Sequence, residues 1–533
     1  MKRAWEVPSS RKQFNKKCFG LQIARPPLAL LITLSAILWP SAAVAGELVI
    51  YNTSQGPATC LVDGYTTDSG NPVTIQFTIN PGERLNIPPS LTATTKAKEA
   101  TKTTKMISWA ECGKSLRTSA MNIKVDGPDG VLFLNGKQNR ALNVILYASI
   151  PTDPTIGYGR LVRGLTLAYQ ATHPEVLLSL VLSTDDRLDP YNFKKLKTNI
   201  LGKEGFDVAE VDTVVMDYLV RSDLITETTI KGDEPWPFAK EAATVDGKLY
   251  GVPSWLCSDF LFSANSDLAS LRTFNGLQRY MKKMPEGRRG LVGTFSGTWT
   301  IPAFYLQALA QTHANIASND ALKMPADPVV IDRMVQFGTD CTVNSGNPCT
   351  DGRYHDAPDG SVERAYGAGE APNDLGFSER SFFLLSDTAT PENLSIVPLP
   401  WGDSADARVL VYSDAFVTNK QTCASSPCQT DSMEFSNFMT SVDIKKYITF
   451  SGDLPYGAAP RHLLAASKKF YDDDDVKGDW LYSRVVSTLL EKNPRAYANT
   501  FSPKTQYDLL LGICTVLKQK NPDWKCKVPD KPN

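Results

Sequence analysis

The stretch DGKLYGVPSWLCSDFLF, residues 246–262, combines a turn signal, a proline and a cysteine between two apolar runs. Its first three residues predict a hairpin-type turn, and the next residues predict a short apolar strand that Pro253 stops. The run FLF at 260–262 predicts a second buried strand. Cys257 then lies just past a proline break, where a thiol can face a cleft while both flanks stay anchored in a core. The alternative is that Cys257 is a small buried hydrophobic residue, as free cysteines usually are.

Strands and helices alternate along the chain from residue 141 onwards. The apolar runs at 142–146 and 176–182 predict buried strands, and the pattern at 160–172 predicts an amphipathic helix between them. Further strands are predicted at 394–399 and 409–417. This alternation predicts an α/β fold with a mostly parallel sheet. Two such lobes that exchange strands across a cleft form the type II periplasmic-binding-protein-like architecture, which fits a chain of this length.

The length of 533 residues exceeds what a single hydrophobic core serves, so we expect more than one domain. Residues 46–140 contain strand-like runs separated by turn signals and predict a small β-rich domain. Residues 141–533 predict the two-lobed α/β domain. We find no catalytic constellation in 46–140, and a surface-binding or packing module is the simpler interpretation of that region.

The N-terminus has the pattern of a secretory signal peptide. Basic residues precede an apolar run at 27–39, and Ala-Val-Ala before Gly46 fits a cleavage site. We therefore predict a signal peptide at 1–45, with an uncleaved signal anchor as the alternative. Cleavage would remove seven basic residues and one acidic residue and leave a formal charge of −7. The mature protein is then expected to be periplasmic or secreted, without stable insertion in a membrane.

The composition argues against several classes of function. Charged residues make up 21% of the chain and the net charge is −1, so no basic field indicates a nucleic-acid partner. The four histidines form no paired metal motif, and no P-loop or GxGxxG stretch follows a strand. We therefore expect no metal site and no nucleotide-binding loop.

The cysteines indicate a disulfide-bonded protein with one thiol left over. Of the ten cysteines, Cys18 lies in the predicted signal peptide. Three short sequence gaps and one pairing within the N-terminal region give an economical scheme, although sequence alone does not fix the connectivity. That scheme leaves Cys257 unpaired, and a free thiol in an oxidising compartment is a candidate reactive residue. The predicted pairs are Cys60–Cys112, Cys341–Cys349, Cys423–Cys428 and Cys514–Cys526.

A carboxylate can serve such a thiol as its base. Glu379 is a lone acid in GFSERS, just before the apolar run at 382–385. In a partly desolvated cleft, the pKa of a carboxyl group rises toward the working range of a general base. The alternative is that Glu379 forms an ordinary ion pair with Arg380 or another basic residue.

Several segments of the chain resemble thiaminase I (thiamine pyridinylase). GVPSWLCSDFLF around Cys257 resembles the family's nucleophile segment, which has a G-x-P-x-x-x-C-[ST]-x-x-L-like pattern. GFSE, ending at Glu379, resembles the GYSE segment whose glutamate is the base. LNVILYASIP, FDVAEVDTVVMDYLV and VYSDAFVTN resemble further segments, and all of them follow the family's order between about residues 141 and 450. Phe377 stands where the family has tyrosine, and Ser149 stands where a second first-strand tyrosine would fall.

The resemblance implies an enzyme that cleaves thiamine by base exchange, with an amine or a thiol as the second substrate. Cys257 would be the nucleophile and Glu379 the base. Asp414 would accept a hydrogen bond from the 4-amino group, and Asp212 would lie near the cationic thiazolium. Aromatic faces would come from two tyrosines. No metal or organic cofactor is implied, and we expect a monomer. The substrate-binding residues implied in this way are Tyr147, Asp212, Tyr412 and Asp414.

Two other functions fit the same sequence. A non-catalytic periplasmic solute-binding protein for thiamine or a similar small ligand could use the same acids and aromatic residues. Such a protein would need neither a free thiol at Cys257 nor a base at Glu379. A toxin-like or surface-interaction protein would instead have its function in residues 46–140.

Overall fold

The computed structural model describes most of the chain from residue 47 onwards. The predicted signal peptide at 1–45 lies outside the described residues, as do Ser149 and the side chains of Cys60 and Cys112. The described residues are 47–52, 55, 58–65, 72–87, 106–112, 129–135, 137–147, 150–152, 157–182, 188–189, 191–267, 271–285, 288–313, 316, 319–323, 325–342, 346–354, 360–387, 390–492, 494–528 and 531–532.

Strands are labelled in chain order. They are β1 (Glu47–Asn52), β2 (Ala58–Tyr65), β3 (Pro72–Ile79), β4 (Arg84–Ile87), β5 (Met106–Cys112), β6 (Asp129–Leu134), β7 (Arg140–Leu146), β8 (Val176–Leu182), β9 (Val208–Asp212), β10 (Thr244–Val245), β11 (Lys248–Leu249), β12 (Val252–Cys257), β13 (Phe260–Ser263), β14 (Asn373–Gly376), β15 (Ser395–Pro398), β16 (Leu410–Thr418), β17 (Leu464–Ala465) and β18 (Arg495–Ala496).

Helices are labelled in the same way. None of the described helices has the length and apolar character needed to cross a bilayer. They are α1 (Gly159–Thr172), α2 (Phe193–Lys195), α3 (Met216–Arg221), α4 (Pro237–Ala242), α5 (Phe274–Met281), α6 (Thr300–Thr312), α7 (Pro328–Asp340), α8 (Ser361–Gly367), α9 (Ser381–Asp387), α10 (Ser426–Thr440), α11 (Val442–Thr449), α12 (Asp474–Gly478), α13 (Trp480–Thr488) and α14 (Pro503–Lys520).

The larger sheet of the α/β region has the strand order β17-β12-β16-β9-β7-β8, with β18 beside β16. Every residue of β8 and β16 is buried, as the near-continuous apolar runs predicted. β7 pairs in parallel with β8 and β9, whereas β16 is antiparallel to both β9 and β12. The expectation of a mostly parallel sheet is therefore wrong, because β16 runs opposite to β9 and β12, and β17 runs opposite to β12.

A smaller antiparallel sheet, in the order β14-β13-β15, forms the second lobe. Two residues, 258 and 259, separate β12 from β13, and β15 leads into β16 through residues 399–409. The chain therefore crosses between the two sheets at 258–259 and again at 399–409. This arrangement confirms the predicted two-lobed α/β fold. Cys257 lies at the end of β12, beside the first crossing.

The stretch at 246–262 folds partly as its sequence predicts. β10 and β11 form a hairpin, and its two turn residues, Asp246 and Gly247, have φ of +50° and +77°. Positive φ at both positions is typical of the tight turns that Asp-Gly favours, so this prediction is confirmed. The strand break at Pro253 is wrong, because β12 continues through it to Cys257. Its register against β16 shifts between Pro253 and Leu256, and such an irregularity accommodates a residue that lacks an amide proton.

Strands of the N-terminal region form two small sheets, β4-β1-β6 and β3-β2-β5. On β6, Phe133 belongs to the same buried apolar cluster as Leu161 of α1 and Val176 of β8. Its ring also stacks on Tyr51 of β1, with centroids 4.8 Å apart. Part of the N-terminal region therefore packs on the core of the α/β region. The domain boundary at residue 140 stays a prediction.

Three of the four predicted cysteine pairs form disulfide bonds, with Cα atoms 5.3–6.2 Å apart. They are Cys341–Cys349, Cys423–Cys428 and Cys514–Cys526. Within the described part of the chain, Cys257 is the free cysteine. Cys60 and Cys112 are backbone partners on β2 and β5. The bond between their side chains, which lie outside the described structure, stays a prediction.

Candidate active site

Cys257 ends β12 at the point where the chain leaves the larger sheet. It lies opposite Tyr412 of β16 in the antiparallel register, and it is half-buried. Burial raises the pKa of its thiol well above the ordinary value, and the charges of four nearby carboxyl groups raise it further. The resting side chain is therefore a protonated thiol, and a base must take its proton before it acts as a nucleophile.

Two of these carboxyl groups face each other across β9 and β16. Asp212 ends β9, and Asp414 is its direct partner in the register. Asp212 accepts hydrogen bonds from the amide of Val214 at 2.9 Å and from the hydroxyl of Tyr191 at 3.2 Å. Asp414 is only 3% exposed, and its Oδ2 has no hydrogen-bond partner among the described residues. This oxygen is therefore available to accept a hydrogen bond from a ligand.

The carboxyl groups of Asp212 and Asp414 both have raised pKa values. Burial raises the pKa of Asp212 to about 6. Burial, followed by the charges of Asp212, Glu210 and Glu379, raises the pKa of Asp414 well above its usual range. Like charges directly opposite each other on a sheet are unfavourable, so binding of a proton or of a cation stabilises this pair.

Glu379 comes from the other lobe. It follows β14 in a 3-10 turn at Ser378–Arg380 and is only 6% exposed. Burial raises the pKa of its carboxyl group to about 7, although a backbone hydrogen bond and the charge of Arg380 act in the opposite direction. Arg380 forms its ion pair with Glu363 at 3.4 Å. Glu379 thus has the pKa that suits a general base near neutral pH.

Asp259 is a further carboxyl group at this point, and it is not among the site residues predicted from the sequence. It lies two residues after Cys257 and is 1% exposed. Its Oδ2 accepts a hydrogen bond from the hydroxyl of Tyr412 at 3.2 Å. Burial raises its pKa to about 7, a hydrogen bond from Tyr412 lowers it, and the charge of Glu379 raises it again. The signal available in the sequence was an acid between the candidate nucleophile and the apolar run at 260–262.

A series of aromatic side chains connects Tyr147 with Tyr412. Tyr147 shares a hydrogen bond between hydroxyl groups with Tyr191, and the two rings meet edge to face at 5.7 Å. At the other end, Tyr412 packs on Tyr497 at 4.1 Å and meets the edge of Phe377 at 6.3 Å. Such rings suit a flat, cationic heterocycle. In order, the series is Tyr147, Tyr191, Trp299, Phe501, Tyr497, Tyr412 and Phe377.

A buried lysine lies behind the carboxyl groups. The Nζ of Lys445 is 3.1 Å from the ring centroid of Trp255 and has no hydrogen-bond partner in the described structure. Burial lowers the pKa of its amine to about 7, while the charges of Glu210 and Asp414 raise it. Glu210 in turn accepts hydrogen bonds from the hydroxyl of Ser254 at 2.6 Å and the amide of Tyr147 at 3.1 Å. The hydrogen bonds of Glu210 thus hold together β9, β12 and the end of β7, which carry residues of the site.

The structure brings the six residues predicted from the sequence to one place. Cys257 is within electrostatic range of the three predicted acids, and the phenol of Tyr147 is within range of Cys257 and two of them. Tyr412 is the register partner of Cys257. Their chemical roles stay predictions. No group of His, Cys, Asp and Glu in the described ranges is arranged to hold a metal ion.

Known proteins similar to this chain were found by sequence and by structure, although no family model matches it. Thiaminase-1 of Paenibacillus thiaminolyticus is 24% identical over 283 residues. That match covers 50% of this chain and 66% of the relative, just under two thirds of its length.

Two solved structures show the fold. Thiaminase I of Clostridium botulinum, in complex with thiamin, superposes with a TM-score of 0.58 at 18% identity, covering 71% of this chain and all of that one. The maltose-bound MalE3 of T. maritima superposes with a TM-score of 0.53 at 15% identity and the same coverage. The chain is therefore a sequence homologue of thiaminase I that has the fold of type II periplasmic binding proteins.

Proposed function

We propose that the protein is a thiamine-degrading transferase that replaces the thiazole of thiamine with an amine or thiol nucleophile. The observation that carries this proposal is the free thiol of Cys257 beside the carboxyl group of Glu379. The protonated thiol needs a base, and the pKa of Glu379, about 7, suits that role. The sequence similarity to thiaminase-1 supports the choice of substrate.

In the proposed first step, Glu379 takes the proton of the Cys257 thiol. The thiolate adds to the electron-poor pyrimidine at the carbon beside a ring nitrogen. The ring electrons then expel the thiazole from the methylene, and the thiazole leaves as a neutral molecule with the electron pair of the broken C–N bond. This leaves the pyrimidine bound covalently to the sulfur.

In the second step, an amine or thiol adds to the methylene. A nucleophile that carries a proton releases it to the solvent, whereas pyridine, which has none on its nitrogen, retains the positive charge in the product. The ring then expels the sulfur of Cys257, which recovers its proton from Glu379. Glu379 thus acts first as a base and then as an acid, and both roles suit a carboxyl group with a pKa of about 7.

Substrate binding is assigned to the two opposed acids and the aromatic series. The unpartnered Oδ2 of Asp414 would accept a hydrogen bond from the 4-amino group of the pyrimidine. Asp212, held by Val214 and Tyr191, would face the positive thiazolium. A cation between these acids would relieve the repulsion between their charges, and the rings of Tyr147 and Tyr412 would pack on the substrate.

We also propose that the protein is secreted or periplasmic and acts as a monomer without a cofactor. The joined cysteine pairs support a location in an oxidising compartment. Peptide mapping of the N-terminus of the secreted protein would test whether cleavage occurs before Gly46.

One incubation tests the proposed activity. Purified protein is mixed with thiamine and aniline or pyridine, and the masses of the products are measured. The expected product is the pyrimidine methylene joined to the added base, together with free thiazole. Thiamine that binds but stays intact would favour the alternative of a solute-binding protein, which needs neither the free thiol nor Glu379.

A further inference from the structure

His462 is a buried histidine that has no task in the proposed reaction. Its side chain is fully buried, and its backbone has a φ of +51°. A residue with a side chain rarely adopts this conformation, and structures retain it where surrounding contacts require it. The contacts of His462 therefore indicate what this position does.

Both ring nitrogens of His462 have a partner. Nδ1 lies 2.7 Å from the hydroxyl oxygen of Ser381, and Nε2 lies 3.2 Å from Oδ2 of Asp479. The other oxygen of Asp479 accepts hydrogen bonds from the amides of Leu481 and Tyr482 at 2.8 and 3.1 Å. A carboxylate held in this way accepts a hydrogen bond from Nε2–H, and in that tautomer Nδ1 accepts a hydrogen bond from the hydroxyl of Ser381.

Ser381 connects this histidine to the proposed base. Its amide donates to the carbonyl groups of Ser378 and Glu379, which closes the 3-10 turn that carries Glu379. Ser381 is fully buried and begins α9. A hydrogen bond that fixes the Ser381 hydroxyl therefore fixes the end of the turn, two residues from Glu379.

His462 itself belongs to the part of the structure that carries Cys257. It lies two residues before β17, which pairs with β12, the strand of Cys257. The preceding residue, Arg461, donates a hydrogen bond to the carbonyl of Pro151 at 2.6 Å, in the segment that follows Tyr147. The contact between His462 and Ser381 thus joins the turn of Glu379 to the lobe of the nucleophile.

The same three side chains form a Ser–His–Asp series, the set used by many hydrolases. Here the hydroxyl of Ser381 is completely buried and already engaged by His462. A nucleophile must reach the substrate, so Ser381 is not one. Its burial favours a positioning role.

We propose that Ser381, His462 and Asp479 form a brace between the lobes that positions Glu379 relative to Cys257. These are positioning residues, and the inference rests on the proposed function of Glu379 as the base. Removing the brace lets the carboxyl group move while the acids and rings that bind the substrate stay in place.

The test compares Ser381→Ala with Ser436→Ala in the full chain. Ser436 is also buried, and its hydroxyl donates a hydrogen bond to the backbone carbonyl of Ser432 within α10 at 2.8 Å. A misplacement of about 1 Å can cost on the order of 10²-fold in rate. We expect Ser381→Ala to lower kcat about 10- to 100-fold with KM within about 2-fold, whereas Ser436→Ala keeps the parent kcat.

A second measurement needs no thiamine. The charge of Glu379 raises the pKa of Cys257, so Glu379→Gln should move the midpoint of Cys257 alkylation by iodoacetamide to lower pH. Ser381→Ala should move it in the same direction, and Ser436→Ala should not. If the parent fails to cleave thiamine, the proposed function is wrong. The alkylation profiles do not depend on thiamine, so they still test whether Ser381 positions Glu379.

His462→Asn provides an independent variant. Asparagine tolerates the positive φ and places a hydrogen-bonding group near the position of Nδ1, so it should retain kcat better than His462→Gln, which reaches toward Asp479 instead. Folded Ser381→Ala protein with the parent kcat and alkylation profile would overturn the proposal. If that variant does not fold, equal kcat for His462→Asn and His462→Gln would overturn it.

Discussion

Cys257 has a thiol whose reactivity is set by its neighbours. Burial and the charges of four carboxyl groups keep it protonated, and in the proposed reaction its proton goes to Glu379. We expect Cys257→Ser to abolish base exchange, because a serine hydroxyl is a much poorer nucleophile without a strong base. The variant should still bind thiamine, since Asp212, Asp414 and the aromatic series remain. Turnover assays and titration calorimetry on the same sample check both expectations.

Normal turnover by Cys257→Ser would mean that a different group attacks the pyrimidine. The parent supplies the positive control, because mass spectrometry of protein quenched during turnover should find the pyrimidine on the Cys257 peptide. Loss of both turnover and binding in the variant would indicate that the cleft itself had changed.

Glu379 should set the pH dependence of the reaction. As a base it must be ionised, and its pKa is about 7, so kcat/KM should rise as the pH increases through about 7. Glu379→Gln keeps the shape of the side chain but cannot take a proton, and we expect kcat to fall by about 10²–10⁴-fold. Rates measured between pH 5 and 9, as outer limits of about two units on either side, would show this rise in the parent and its loss in the variant.

Glu204→Gln is the matched control for this substitution. Glu204 is exposed and lies in the turn before β9, so the control variant should keep the parent profile. A Glu379→Gln variant with the same pH profile as the parent would assign the titration to another group, with Asp259 as the nearest alternative.

At the scale of elements, the crossing between β12 and β13 contains a buried acid. Asp259 is 1% exposed, and burial raises its pKa from 3.8 to about 7. Because its folded pKa exceeds the unfolded value, its contribution to stability is complete below about pH 4 and is lost as the pH rises through about 7. Each unit of pKa shift corresponds to about 1.4 kcal/mol, so the loss amounts to a few kcal/mol.

The variant Asp259→Asn should remove this part of the pH dependence, and its amide oxygen can still accept from Tyr412. Urea unfolding at about pH 4 and about pH 8, values chosen to bracket the pKa shift, should show a smaller loss of stability for the variant than for the parent. Asp223→Asn, at a side chain that is 77% exposed, is the control and should leave the difference unchanged. An equal loss in parent and Asp259→Asn would contradict the assignment.

Elements with a strong local signal could be predicted from the sequence. The run at 176–182 is β8 within its predicted bounds, and Asp-Gly at 246–247 forms its hairpin turn, because periodicity and turn preference act over a few residues. The break at Pro253 was wrong, because the partner strand β16 decides whether a proline can be tolerated. The direction of β16 could not be predicted either, since it depends on how the chain returns from the other lobe.

The same distinction holds for the candidate site. Cys257 and Glu379 stand in recognisable segments, and the family resemblance placed them together. Tyr191 and Tyr497 belong to the site through contacts with residues far away in the sequence, and nothing in their own segments indicates this. Side-chain contacts between distant segments depend on the packed structure, which local patterns do not contain.

At the scale of the whole molecule, the N-terminal sheets and the α/β region share apolar packing. Phe133 is 7% exposed and belongs to the cluster of the α/β core. Replacing a buried phenylalanine by alanine typically costs about 3–5 kcal/mol. We expect Phe133→Ala to lower the free energy of unfolding by about this amount without changing kcat, because the site lies on other strands.

Leu167→Ala is the control, since Leu167 is 43% exposed on α1 and should contribute little. Thermal and urea unfolding, with turnover measured well below the melting temperature, separate stability from catalysis. A fall in kcat for Phe133→Ala at full folding would show that the N-terminal region shapes the active site.

The chain crosses between the two sheets at 258–259, directly after Cys257, and again at 399–409, directly before β16. Points near the axis of a rotation move little, whereas distant points move far. A rotation of the smaller sheet about these links would therefore displace the sulfur of Cys257 much less than it would displace Glu379, which lies beyond β14. The larger sheet would keep Cys257, Asp212 and Asp414 together as one rigid half. Opening and closing of the cleft would then control when the proton passes from Cys257 to Glu379. It would have little effect on the approach of the sulfur to the pyrimidine.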